Sequence, residues 1–219
     1  YYDTNYTYVK LRDNNSTGSS VDVTNFSNTT IKGSTSGVIA KVINVNDGSE
    51  ANTPNFKTLF IKYQAANTST GYRYFANNEI INTVGGTVYS ANSITSAQGG
   101  SIGTGAAAKF QTGIVFAKDH FIRVPEQTVI VSKYDTLGSA RVGFDVTETI
   151  VTETSDDTLL DPASGSYNYA APGAARLKLE APIRAYSLTA TLANTFVELM
   201  QVKDGIVQSV SNRTQYAQI

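Results

Sequence analysis

Residues 196–210 read FVELMQVKDGIVQSV, two β-forming runs on either side of Asp204-Gly205. A two-residue Asp-Gly connection suits a turn with positive φ at both central positions, so the stretch reads as a β-hairpin within a strand-like run over 196–208. Working back from it, residues 176–179 and 185–192 are also strand-like. Before them come KFQTGIVF (109–116), HFIRV (120–124), TVIVSKY (128–134) and RVGFDVTETIV (141–151), each bounded by turn residues. Pro125 falls between two of these runs, where its missing N–H costs little. In the first half, YTYVKLR (6–12) alternates with period two, and VIAKVINV (38–45) and TLFIKY (58–63) flank the turn-prone NDGSEANTPN. NNSTGSS (14–20) and residues 67–72 read as loops, the latter before YRYF and EIINTV. No apolar period of 3.6 residues is sustained anywhere. The expected class is all-β, with antiparallel sandwich or barrel-like modules, long loops and few short helices.

Composition agrees. The chain of 219 residues is large enough to bury a core without staples, and it contains no Cys. Only 16% of residues are charged, while thirteen Tyr and an abundance of Thr, Val and Ile suit a pleated, half-buried surface. Such a neutral polar chain without disulfides fits virion, pilus or bacterial surface proteins better than small secreted domains. Seventeen Lys and Arg against eighteen Asp and Glu, with no basic concentration, argue against nucleic acid as a partner. No apolar run is long enough for membrane insertion as a helix, and YYDTNYTYVK is not a signal peptide. The missing initiator Met and the abrupt end at NRTQYAQI (212–219) lead us to expect a piece of a longer or processed polypeptide.

Residues 90–108, SANSITSAQGGSIGTGAAA, carry no periodicity and are rich in Gly, Ser and Ala. They suggest a division into an N-terminal β-rich module (1–90), a connection (91–108) and a second β module (109–219).

Chemistry-bearing residues are sparse. With His120 the only His, Cys/His zinc sites and Cys nucleophiles are unavailable. Asp119 beside His120 could orient a general base, but strand neighbours point to opposite faces. Glu148, Glu153, Asp156, Asp157 and Asp161 are oxygen donors of the kind calcium takes, yet they lack the EF-hand order, and a solvated turn accounts for them. Asp145 and Glu148, considered as a glycosidase pair, have opposite strand parity. The run Gly99–Gly105 lacks the Lys-Ser/Thr of a phosphate loop and reads as a linker or packed turn. The expectation is therefore no catalytic residue, no metal, no cofactor and no enzymatic activity. Aromatic residues could line a glycan-binding face, and Tyr167 and Tyr169 are the pair of interest.

The stretch RVGFDVTETIVTETSDDTLLDPASGSYNYAAPGAARLK (141–178) resembles a domain family of unknown function in virion proteins of tailed bacteriophages, particularly tail-fibre and baseplate-associated proteins of T-even-like marine and cyanobacterial myoviruses. The resemblance rests on Arg141 to Phe144, Asp156-Asp157, Leu160-Asp161, Ala163, Gly165, Asn168 to Ala174, and Arg176-Leu177. GIVFAKDHFIRVPEQTVIVSKY and VELMQVKDGIVQ extend it over the second half of the chain; residues 1–90 share only general style. Ala175 stands where a His is common, and the family's helical opening is absent.

What the resemblance implies is a structural role in a virion, as part of the tail, baseplate or tail fibre. The partners would be other virion proteins and further copies of the chain, as a homotrimer or larger assembly, with host surface glycan a further candidate. The alternatives are a carbohydrate-binding receptor or adhesin module, or a bacterial pilus or surface-layer subunit. Residues 156–176 are expected to form an ordered clasp that closes the 141–151 strand against the sheet or a neighbouring subunit. Its candidates are Asp161, Pro162, Asn168, Tyr169, Pro172, Gly173 and Arg176: the prolines restrict the unfolded chain, Asp161 and Asn168 satisfy turn amides through their side chains, Tyr167 or Tyr169 buries its ring, and Arg176 reaches toward the acids.

Overall fold

The computed structural model describes residues 1–210 apart from Thr53 and Thr70; the closing NRTQYAQI segment lies outside the described residues. The chain is all-β, with antiparallel strands and only short 3-10 turns among the described residues. Among the described residues no helix is long and apolar enough to cross a membrane. It divides into two compact units, one of residues 2–107 with 130–138, the other of residue 1 with 108–129 and 139–219.

The first unit is built on an eight-stranded sheet. Its strands are β1 (Tyr2–Leu11), β2 (Thr30–Gly33), β3 (Ile39–Asp47), β4 (Lys57–Ala65), β5 (Ile80–Val84), β6 (Ser90–Asn92), β7 (Ile102–Phe110) and β10 (Gln127–Ser132). They lie in the order β10-β7-β1-β4-β3-β2-β5-β6, with β1 and β3 each antiparallel to β4. Alternation drives this arrangement. Val9, Leu11, Ile31, Ala40, Val42, Leu59, Ile61 and Ile81 turn to one core with Val23, Phe26 and Phe75, all 3% exposed or less. Tyr6, Tyr8, Phe60 and Ala107 form a second buried cluster, where the Tyr6 and Phe60 rings stack at 5.2 Å.

Two polar devices are buried in this unit. Glu79, 2% exposed, accepts hydrogen bonds from the amides of Thr35 (3.1 Å), Ser36 (2.9 Å) and Ala76 (2.6 Å) and from Ser36 Oγ (3.0 Å). One carboxylate thus satisfies the backbone of two loops. Lys10, 7% exposed, places its ammonium 4.6 Å from the Tyr134 ring centroid, 5.2 Å from Phe56 and 5.4 Å from Tyr8.

Residues 91–108 do not form the expected connection. They contain the end of β6, a 3-10 turn at Ser96–Gln98 and most of β7, and Ala91, Ile94 and Ala106 are completely buried. The small residues reflect close packing: a Cβ on Gly105 would lie 2.6 Å from the carbonyls of Ser132 and Lys133. The units divide between residues 107 and 108, at the end of this stretch and within β7, and residues 130–138 return to the first unit.

In the second unit, β11 (Ala140–Asp145), β14 (Ile183–Tyr186), β15 (Phe196–Lys203) and β16 (Ile206–Val210) form a sheet in the order β14-β11-β15-β16. Asp204 (φ 50°) and Gly205 (φ 76°) make the β15–β16 turn. Val142, Phe144, Val146 and Val202 are fully buried, and Phe110 meets Phe144 edge-on at 4.8 Å. The run 141–151 is two strands. It leaves the sheet at Val146, and β12 (Thr147–Val151) pairs separately with β13 (Arg176–Glu180). The expected strand at 185–192 starts earlier, as β14, and ends at Tyr186. KFQTGIVF is likewise broken at Gln111-Thr112, between β7 and β8 (Gly113–Ala117), which forms a hairpin with β9 (His120–Val124).

Candidate interaction surface

The β8–β9 hairpin inverts the usual distribution of polarity. Its inner face carries Ala117, Ile122 and Val124, each 5% exposed or less. By strand parity its outer face carries Ile114, Phe116, Phe121 and Arg123, and that face is also apolar. Ile114 is 71%, Phe116 52% and Phe121 74% exposed, and the two Phe rings meet at 5.0 Å. Antiparallel hairpins normally turn a polar face to water. The turn is Lys118-Asp119, both with positive φ (48° and 62°), so the hairpin lacks the Asn-Gly or Asp-Gly signature. His120 opens β9 opposite Ala117, and Asp119 lies in the turn beside it.

The β12–β13 ribbon continues this property. Ile150 and Leu177 sit directly opposite each other, 68% and 53% exposed. Lys118 Nζ and Glu148 Oε1 approach to 3.8 Å, joining the hairpin turn to β12. The edge strand β16 is exposed throughout, with Ile206 and Val210 outermost. A two-stranded ribbon is marginal in water by itself, and an exposed apolar edge is a template for association.

Residues 152–175 join β12 to β13 and contain the expected clasp except Arg176, which opens β13 and is exposed. The base of the loop is closed by backbone bonds, from Gly173 N to Leu159 O (2.8 Å), Asp161 N to Ala171 O (3.0 Å) and Ala170 N to Asp161 O (3.0 Å), beside a bridge between Leu160 and Pro172. Leu159 is buried beneath it. Gly173 is required here because a Cβ would lie 2.3 Å from Leu159 O. Asp161 Oδ1 accepts from the Ala163 amide at 2.8 Å, as expected of its side chain, whereas Asn168 accepts from Ala171 N at 2.9 Å through its backbone carbonyl and not its side chain. Asp156 accepts from the hydroxyl (2.6 Å) and amide (3.0 Å) of Thr158; these bonds, with the Arg176 charge beyond them, hold its carboxyl below the usual range.

The aromatic part of the clasp differs from expectation. Tyr169 is 59% exposed and Tyr167 wholly exposed, and Pro162 and Pro172 are also at the surface. The tip satisfies its backbone internally, with Ser166 N bonded to Ala163 O and Tyr169 N to Ser166 O, so nothing draws its rings inward. The loop closes on itself and projects from the β12–β13 ribbon.

The remaining candidates are occupied structurally. Asp145 accepts from Thr195 Oγ1 at 2.7 Å and Tyr186 OH at 3.3 Å, while Glu148 lies beside Lys118 in a different sheet. Among the described residues no group of three or more His, Cys, Asp or Glu side chains is placed to hold a metal ion. Sequence reasoning missed the outer face of the hairpin. Its signal was apolar residues at both parities of GIVFA and HFI, too many for one buried face.

Neither a curated protein nor a solved structure matches the chain. One family does, over residues 75–219, which begin within the first unit and include β8–β9, the ribbon, the loop and the Asp-Gly hairpin. The chain belongs to that family, the domain of unknown function DUF4815.

Proposed function

We propose that the chain is a structural component of a bacteriophage virion, in the tail, baseplate or tail fibre, and that it assembles through protein contacts with copies of itself and with neighbouring virion proteins. The observation that carries this reading is the apolar outer face of the β8–β9 hairpin. Ile114, Phe116 and Phe121 leave most of their surface in water there. Contiguous exposure of this kind marks an interaction surface, because covering it is worth roughly 25 cal/mol per Å². The phage resemblance of residues 141–178 supplies the setting, and the open ribbon and edge strand supply further surfaces that a lattice of subunits would cover. Antibodies raised against the chain should decorate the tails of intact particles under the electron microscope. Finding the polypeptide only in infected-cell extract, absent from purified particles, contradicts the reading.

A carbohydrate-binding module is the second reading. A cavity of about 360 Å³ in the first unit is lined by Arg12, Asn14, Asn15, Ser16, Glu50 and Asn92, a donor and acceptor set that suits sugar hydroxyls. No aromatic ring lines it, so it lacks the stacking platform that sugar sites commonly use. Titration with neutral oligosaccharides that shifts the amide signals of Asn14 and Asn15 would favour this reading.

A further inference from the structure

We propose that the loop of residues 152–175 in one copy of the chain docks into an arginine-rimmed cleft on the second unit of another copy, joining subunits head to tail. This rests on the self-assembly reading above and names the contact that would carry it. The cleft, of about 520 Å³, lies between the end of β9 and the β13–β14 connection, with Arg123, Pro125, Ala181, Pro182 and Arg184 in its lining. Gln127 ties its floor together, donating through Nε2 to Ala181 O at 3.0 Å and accepting at Oε1 from Ile183 N at 2.8 Å. Consecutive residues of β9 and of the β13 end line it, and each of these strands pairs on one side only. The cleft therefore presents open backbone edges as well as side chains.

The charges select the occupant. One carboxylate, Glu180, is part of the lining and pairs with Lys178 at 2.7 Å, and the neighbouring Glu126 pairs with Lys109 at 2.7 Å, so both already have cations of their own. Among the described residues, neither Arg123 nor Arg184 has an ion-pair partner. The only acidic concentration in the sequence is on the loop, and among the described residues Glu153, Asp157 and Asp161 form no ion pair either. Loop acids and cleft arginines do not meet within one copy, so their pairing is available only between copies. Guanidinium forks favour carboxylates geometrically as well as electrostatically.

The apolar parts match too. Arg123 shares the outer face of β9 with Phe121, so a loop whose acids reach the cleft can lay Tyr167 or Tyr169 against the exposed aromatic pair. Internal hydrogen bonds already order the loop, which lowers the entropy lost on docking. Because loop and cleft are different surfaces, the contact is heterologous and propagates into a ring or a filament.

Sedimentation velocity on the full chain tests this with two charge reversals, Arg123→Glu with Arg184→Glu, and Asp157→Lys with Asp161→Lys. Each should weaken self-association at least about tenfold, and combining all four in one chain should restore most of it. An equimolar mixture of the two double variants should regain assembly as alternating copies, since each loop then meets a cleft of opposite charge. Tyr167→Ala, a change at a wholly exposed ring, should also weaken association while leaving the fold unchanged. If the wild-type chain assembles and both reversals assemble equally well, the docking is wrong and the self-assembly reading stands. A wild-type chain that stays monomeric, or associates only with another component, overturns both.

Discussion

Phe116 and Phe121 face each other across the β8–β9 hairpin with ring centroids 5.0 Å apart, and more than half of each residue's surface is in water. Neither ring contributes much to the core of its own chain. Phe121→Ser should therefore change monomer stability by no more than about 1 kcal/mol, whereas truncating a buried Phe typically costs about 3–5 kcal/mol. Urea unfolding at a concentration where the variant is monomeric checks this.

Glu79 should behave oppositely. Replacing it with Ala strands the amides of Thr35, Ser36 and Ala76, each of which now donates to its carboxylate. A loss of about 3 kcal/mol is expected in urea unfolding, with Glu79→Gln intermediate because its amide oxygen can still accept.

Gly143 lies where the β11–β15 register shifts, and a Cβ there would sit 2.2 Å from Val197 O. Backbone cannot retreat as a flexible side chain can, so Gly143→Ala should lower stability by about 2–4 kcal/mol. A thermal melt within a degree or so of wild type would contradict this account of the RVGF motif.

Burial raises the hydroxyl pKa of Tyr6 and Tyr63 to about 12. A raised folded pKa contributes stability that is fully present below the ordinary value of 10.0 and lost as pH rises through the folded value. Lys10, whose pKa burial lowers, acts in the opposite direction over the same alkaline range. The two tyrosines dominate, so stability should decline between pH 10 and about 12. Tyrosinate absorbance should show a late-titrating class that appears together with unfolding, and titration of all thirteen tyrosines as one class near pH 10.0 would contradict this.

Local chemistry made part of this fold legible. Asp204-Gly205 announces its hairpin because few residue pairs accept two positive φ angles, and YTYVKLR announces β1 through its alternation. The Lys118-Asp119 turn achieves the same geometry without glycine, so composition gave no warning of it. Gly, Ser and Ala in residues 91–108 were ambiguous, since small residues serve both flexible linkers and tightly packed strands; Ala106 and Gly105 show the second use. The split of 141–151 at Val146 was hidden because β-formers continue through it, and only tertiary pairing of β12 with β13 separates the halves. The loop's closed base follows from its Asp161, Pro172 and Gly173. The outward direction of Tyr167 does not, because a ring that suits burial in its own core equally suits burial in a neighbour.

The native mass of the wild-type chain beside that of the Phe116→Ser, Phe121→Ser double variant tests the central claim most directly. The account predicts a trimer or larger assembly for the wild type and a folded monomer for the variant. A wild type that remains monomeric as its concentration is raised, or a variant that assembles as the wild type does, would contradict it.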